Sequence, residues 1–289
     1  MFASNVERVL TIINLAKKHD ENLQFSIADI GAHPYELKEE PYHMFLDHFP
    51  GSKVFAFDID EHECKKLNSN SKEGLKFYPY ALGKKNEKRL FYETKHPMCS
   101  SLYEPDTDMM KLYNALENAY LKKTYEIETI TLDKFIQDEK IEDLDFIKID
   151  IQGGELDVLE GAVKVLSKII AVVSEVEFVQ IYKKQPLFGD VNTFLTNQNM
   201  MFYKFLGLSG RTMRPTIIKD ILYASQHMWS DALFIKKFEE IRKLTSSKLL
   251  KLSIIAAIYG SPDISFNCFK IFDEINNTNL TKELVKLSS

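Results

Sequence analysis

Apolar residues crowd into seven short runs of the chain, at positions 24–30, 53–57, 75–80, 146–149, 169–176, 201–206 and 232–235. Runs this short, rich in Val, Ile and Phe at consecutive positions, read as strands buried on both faces. Between them lie segments with helix-compatible spacing, at 36–48, 62–68, 132–137, 154–166 and 190–197, the last opening on Asp190 as a plausible N-cap. An amphipathic helix is expected over 5–19, where Val6, Val9, Leu10, Ile13 and Leu15 are mixed with charge. Strand followed by helix, repeated, predicts right-handed βαβ crossovers and an α/β fold with a mainly parallel central sheet and helices on both faces.

Two stretches depart from that rhythm. Positions 89–94 and 124–131 alternate in the β manner around a polar insert, which predicts a hairpin-like excursion or a lid. After Lys237 only helical periodicity remains, at 238–252, 254–259 and 266–275, with a turn at Gly260-Ser261-Pro262-Asp263 and a polar end expected to fray. The chain therefore divides on paper into a domain over 1–237, including the N-terminal helix, and a helical extension over 238–289. Leu244, Leu249, Leu250, Leu252, Ile254 and Ile255 are more apolar residues than one isolated surface helix needs. That extension either packs on the sheet or makes a homo-oligomer contact.

Composition narrows the function. With 289 residues, 45% of them hydrophobic, there is material for a sizeable core. A net charge of -5 gives no global attraction to nucleic acid or anionic lipid, so no nucleic-acid partner is expected. No apolar run approaches the roughly 20 residues of a membrane span. Cys64, Cys99 and Cys268 lie far apart and outside any metal-ligand spacing, which suits reduced thiols in a cytoplasmic protein.

The candidate chemistry sits where strands end. Asp29 precedes Gly31-Ala32, Asp58 closes the second strand, and Asp150 closes the fourth. In an open α/β sheet, ligands bind outside the carboxyl ends of the strands. His33-Pro34 replaces the further glycines of a pyrophosphate cradle, so a ligand with a ribose and no pyrophosphate is favoured. Asp58 can accept from both ribose hydroxyls, although Asp58 or Asp60 could equally cap the following helix. Asp150, Glu155, His33 and His227 are the candidate proton acceptors, His33 ranking as a cofactor-loop residue rather than a catalytic one. Asp150, Glu155, Glu175 and Glu177 offer oxygen ligands, but no constellation demands a metal, and a metal-free mechanism is expected.

Several short motifs recur here in a particular order: Asp29-Ile30-Gly31-Ala32, Phe55-Ala56-Phe57-Asp58, Ala81-Leu82-Gly83, Ser100-Ser101-Leu102, Thr131-Leu132-Asp133, and the run from Phe146 through Asp150 to Glu155. In order and spacing the chain resembles FkbM-type methyltransferases over about residues 27–235. The resemblance implies a Rossmann-like class I methyltransferase fold, S-adenosylmethionine as cofactor, and O-methylation of a hydroxyl on a sugar, glycan or related metabolite. It also implies residue roles: Asp29, Gly31, Ala32 and His33 near the methionine part, Asp58 on the ribose, and Ala81 and Leu82 beside the adenine. Asp150 falls next to donor and acceptor, Glu155 matches a second acid, and His227 precedes the last strand. His33-Pro34 departs from the family's Asn and Gly, and Gln152 stands where an acid is common. The alternatives are a non-catalytic Rossmann-like binding or scaffold protein and, further off, a nicotinamide-dependent oxidoreductase.

Overall fold

The computed structural model describes residues 5–32, 40–215 and 218–288. The strands are β1 (Ser26–Ile30), β2 (Lys53–Asp58), β3 (Leu75–Pro79), β4 (Ala81–Leu82), β5 (Glu87–Thr94) and β6 (Leu121–Ile130). They continue with β7 (Phe146–Ile149), β8 (Ala171–Glu177), β9 (Met200–Phe205), β10 (Ser209–Arg211) and β11 (Gln226–Lys236). The helices are α1 (Asn5–Lys17), α2 (Met44–His48), α3 (Glu61–Asn68), α4 (Thr107–Met110), α5 (Leu132–Asp138) and α6 (Glu155–Glu160). After them come α7 (Val163–Leu166), α8 (Phe188–Asn197), α9 (Phe238–Ile241), α10 (Ser246–Ile258), α11 (Pro262–Asn276) and α12 (Leu280–Ser288).

The main sheet runs β3-β2-β1-β7-β8-β11, with β9 and β10 both paired to β11. Strands β3 through β8 in that order are mutually parallel, and β11 is antiparallel to β8. From β1 the chain moves outward to β2 and β3, then returns to the other side of β1 through β7. The boundary between β1 and β7 is thus a topological switch point, where α/β sheets open a crevice at their carboxyl ends.

Successive strand residues serve opposite faces. Ile27, Val54, Phe146, Val173 and Leu233 join one core with α1 and the C-terminal helices, while Ala28, Phe55, Ile147, Val172 and Phe234 join the other beneath α5 to α8. This double burial explains why the strands read as unbroken apolar runs rather than alternating ones.

The C-terminal helices pack on the sheet. Leu249, Leu252, Ile254 and Ile255 of α10 are fully buried, at 0% exposure. Lys248 and Lys251 reach from the same helix to the fully buried Asp145 at 2.7 and 2.8 Å, and the backbone N–H of Ser26 donates to that carboxylate at 2.9 Å. The expected fraying after 277 does not occur as far as Ser288, because Leu280 and Leu284 are buried and Asp273 accepts from the N–H groups of Leu280 and Thr281.

Other local expectations shift for identifiable reasons. Asp190 sits inside α8 and not at its cap, where its carboxylate accepts from the N–H of Leu187. The single helix expected at 154–166 breaks at Gly161, which lies so close to β4 that an added Cβ would meet the Gly83 carbonyl at 2.2 Å. The excursion is a hairpin-like pair of antiparallel strands, β5 and β6, with β4 added to form a second sheet. Among the described residues no helix is long and apolar enough to cross a membrane.

Candidate functional site

Strand β1 carries Asp29 at its carboxyl end and turns at once through Gly31, whose φ is +87°. A Cβ on Gly31 would fall 1.9 Å from the carbonyl oxygen of Asp150, so the ends of β1 and β7 meet backbone to backbone here. The N–H groups of Gly31 and Ala32 both donate to the carbonyl of Phe57, drawing the end of β2 into the same junction. Beyond β2, Asp60 is the N-cap of α3 and accepts from the N–H of Glu63, while Asp58 accepts from the N–H of Asp60 at 2.7 Å. The question left open between these two acids is thereby divided: Asp60 caps, and Asp58 forms the turn before it.

A cavity of about 970 Å³ opens over this junction. Asp29, Gly31, Ala32, Asp58, Ala81 and Leu82 line it on one side, with Asp150, Gln152 and Glu175 further along the strand ends. The second sheet supplies a wall through Phe91 and Glu93 of β5 and Tyr125 and Ile127 of β6. That wall is pinned in place, because Arg89 of β5 pairs with Asp157 of α6 at 2.7 Å and the Ser101 hydroxyl donates to the carbonyl of Gln152 at 2.7 Å.

The floor is a network of buried charge. Lys148 is 8% exposed and lies 3.4 Å from Asp150 and 3.8 Å from Glu40. Burial works to lower its ammonium, but Asp150, Asp29 and Glu40 outweigh burial and raise it. Asp150 is pushed up by burial, yet Lys148 and the hydrogen bonds of Gln152 and Glu175 hold it below the ordinary carboxylate value. Asp29, by contrast, is raised by burial despite Lys148 and the nearby Tyr42 hydroxyl, which sits too poorly placed to satisfy its Oδ1. Gln152, in the left-handed region at φ +59°, donates through Nε2 to Asp150 at 3.0 Å and to Glu175 at 2.8 Å. Burial and the neighbouring acids Asp150, Glu177 and Glu155 push Glu175 well above the ordinary range.

Not every expected site residue reaches this cavity. Glu155 lies outside the lining, 2% exposed, with its Oε1 accepting from the N–H groups of Ile151 and Gly153; it stabilises the turn after β7. His227 is exposed on β11 opposite Gly210 and also lies outside the lining. His33 falls outside the described residues. Gln152 and Glu175, absent from the expected catalytic set, are in the cavity. A sequence signal for Glu175 existed: it is a carboxylate inside the otherwise apolar run 169–176, where burial would perturb it.

Residues 29–202 match the family model described as the methyltransferase FkbM domain. The chain belongs to the FkbM methyltransferase family. This FkbM methyltransferase has S-adenosylmethionine as its cofactor, and its sheet is the α/β arrangement expected for a class I enzyme. Among curated proteins none matches the sequence. Among solved structures, it is similar to a SAM-bound magnesium protoporphyrin IX methyltransferase from Synechocystis PCC 6803, at 8% identity and a TM-score of 0.35 over 79% of this chain and 78% of that one. It is also similar to the 23S rRNA methyltransferase ErmE, at 10% identity and a TM-score of 0.32 over 91% of this chain and 97% of that one. Likenesses this loose say nothing of what this FkbM methyltransferase acts on.

Proposed function

We propose that this enzyme methylates a hydroxyl group on a sugar, glycan or related small metabolite. The observation that carries the reading is one continuous cavity running from acids at the ends of β1 and β2 to a second acidic group beyond β7. At about 970 Å³ it stands near the top of the range for ligand pockets, which suits a cofactor together with an acceptor.

The residues present fit the cofactor. Asp29 Oδ1 makes no hydrogen bond among the described residues, although the Tyr42 hydroxyl is close to this carboxyl group, and it would accept from an α-ammonium. Asp58, held by its turn at the tip of β2, would accept from the ribose diol, and Ala81 and Leu82 would flank the adenine without competing for its polar edge. Gly31 and Ala32 would let the methionine part lie against backbone. When bound, S-adenosylmethionine supplies an electrophilic methyl carbon on a positively charged sulfur. Asp150, at the switch point, would then lie between the cofactor side and the acceptor side. The chain's own task is to align the acceptor oxygen, exclude water and take up a proton. Phe91 and Tyr125 on the wall suit the apolar faces of a sugar ring, and Gln152 and Glu175 suit its hydroxyls.

Calorimetric titration with S-adenosylhomocysteine, comparing the native chain with Asp58→Ala, tests this assignment. Loss of a charge-assisted hydrogen bond worth about 1.5–3 kcal/mol should weaken binding by roughly 10- to 150-fold. Absence of binding by the native chain at millimolar ligand would remove the cofactor site.

A further inference from the structure

Four carboxyl groups, Asp150, Glu155, Glu175 and Glu177, cluster beyond the end of β7, two of them in the cavity lining, and Lys148 is paired directly with Asp150. Glu155, Glu175 and Glu177 bring one oxygen each within 4.8 Å of one another, and Gln152 links Glu175 to Asp150. The groups facing Glu175 are Asp150 from the end of β7, Glu155 from α6, Glu177 from β8 itself and Asp231 from β11. Tyr182, in the loop after β8, also senses it. Lys148 is engaged by Asp150 at 3.4 Å. Of these carboxyl groups, Asp150 and Glu175 line the cavity, and Glu155, Glu177 and Asp231 do not. Two carboxyl groups bridged by one amide cannot both carry full charge cheaply at a half-buried cavity wall, and the lysine decides which of them does.

Resting on the methyl-transfer reading above, we propose that Glu175 is the general base of the reaction, stored as a neutral acid and ionised by the arrival of the cofactor's positive sulfur. Asp150, ion-paired, is the weaker base and belongs to the cofactor side of the switch point. Gln152 is a positioning residue that holds both carboxyl groups. The atoms balance over one turnover. Binding of the sulfonium expels the Glu175 proton to solvent. The acceptor oxygen then bonds to the methyl carbon, the carbon–sulfur bond breaks with its electron pair on sulfur, and the hydroxyl proton passes to the Glu175 carboxylate. Both charges vanish together, so the product state holds a neutral thioether beside a neutral acid. The proton released per turnover thus leaves when the cofactor binds and not during the chemical step.

Calorimetry of S-adenosylmethionine and S-adenosylhomocysteine binding, in buffers of different ionisation enthalpy with EDTA present, reads this directly and needs no acceptor. The expected result is release of close to one proton with the sulfonium ligand and none with the thioether. The ratio of their affinities should rise by up to about tenfold per pH unit across the titration of Glu175. In Glu175→Gln the difference should vanish while the thioether still binds, and in Glu155→Gln, which changes a carboxyl group outside the cavity, it should persist. Equal proton release for the two ligands in the native chain, or an unchanged difference in Glu175→Gln, would overturn the proposal. If neither ligand binds the native chain, the methyltransferase reading itself fails and this proposal goes with it.

Discussion

Replacing Gly31 by alanine should separate two strand ends that now touch. The added Cβ would sit 1.9 Å from the Asp150 carbonyl oxygen and 3.0 Å from Cγ2 of Ile151, so β1 and β7 would have to part by more than an ångström. The obstacle is backbone, which no rotamer change can move aside. A positive φ adds about 1–2 kcal/mol for a residue with a Cβ. Parting the strands also strains the hydrogen bonds from Gly31 and Ala32 to Phe57 and from Asp150 to Ile30. With each worth about 1 kcal/mol and about two or three of them lost, the total is roughly 3–5 kcal/mol. For a chain of this length that lowers Tm by about 6–10 °C. Differential scanning calorimetry would measure it, and S-adenosylhomocysteine titration of the folded variant should show binding weakened as well, since the same junction forms the cavity floor. A loss below about 1 kcal/mol with binding intact would refute the close contact between the strands.

Other expectations follow from the buried charges. Asp145→Ala leaves Lys251 without its acidic partner, while Lys248 keeps Asp143 at 2.6 Å, and should cost about 3 kcal/mol in urea unfolding, whereas replacing Asp145, Lys248 and Lys251 together by apolar residues should cost far less. Equal losses in the two variants would show that the three charges do not act as a unit. Burial, against its backbone hydrogen bonds, raises Glu155 from the ordinary 4.5 to about 7. The folded protein therefore holds that proton more tightly than the unfolded chain, so its contribution is complete below about 4.5 and lost as pH rises through about 7. Glu155→Gln should flatten the fall in stability across that window, with Glu175 and Glu177 adding to it in the same direction in the native chain. A slope unchanged in the variant would count against the raised value.

The sequence was most legible where burial on both faces left a dense apolar run. Phe146–Ile149 is predicted to the residue for that reason. It was least legible where partners are distant in sequence. The first half of β11, from Gln226 to Asp231, is mostly polar and becomes a strand through pairing with β8 and β10, so the pattern revealed only 232–235. In the cavity, Asp29, Gly31, Asp58 and Asp150 could be read from strand ends, because an acid or glycine after an apolar run stands out. That His227 and Glu155 lie outside the lining could not be read on the same basis. Whether an imidazole faces a cavity or solvent, and whether a carboxylate is already used by two backbone N–H groups, depends on turn geometry that spacing does not encode. Lys148 was hidden for a related reason: a lysine inside a strand looks solvated until the acids Asp150, Asp29, Glu40 and Asp231 are found around it.

The shared core of α1 and α10 has a bearing on how the chain is made. Val9, Ile12 and Ile13 share this core with Leu249, Leu252 and Ile255, which leave the ribosome more than two hundred positions later. At ordinary translation speeds of about 5–20 residues per second, the first helix must wait on the order of ten seconds or more before the surface it buries against exists. During that interval the apolar surface that the C-terminal helices cover is bare, although α1 and α2 already lie on that side of the nascent sheet, and holding it soluble is work for the cell's chaperones. A messenger truncated before α10 would therefore yield a sticky, degradable fragment with its cavity residues all present.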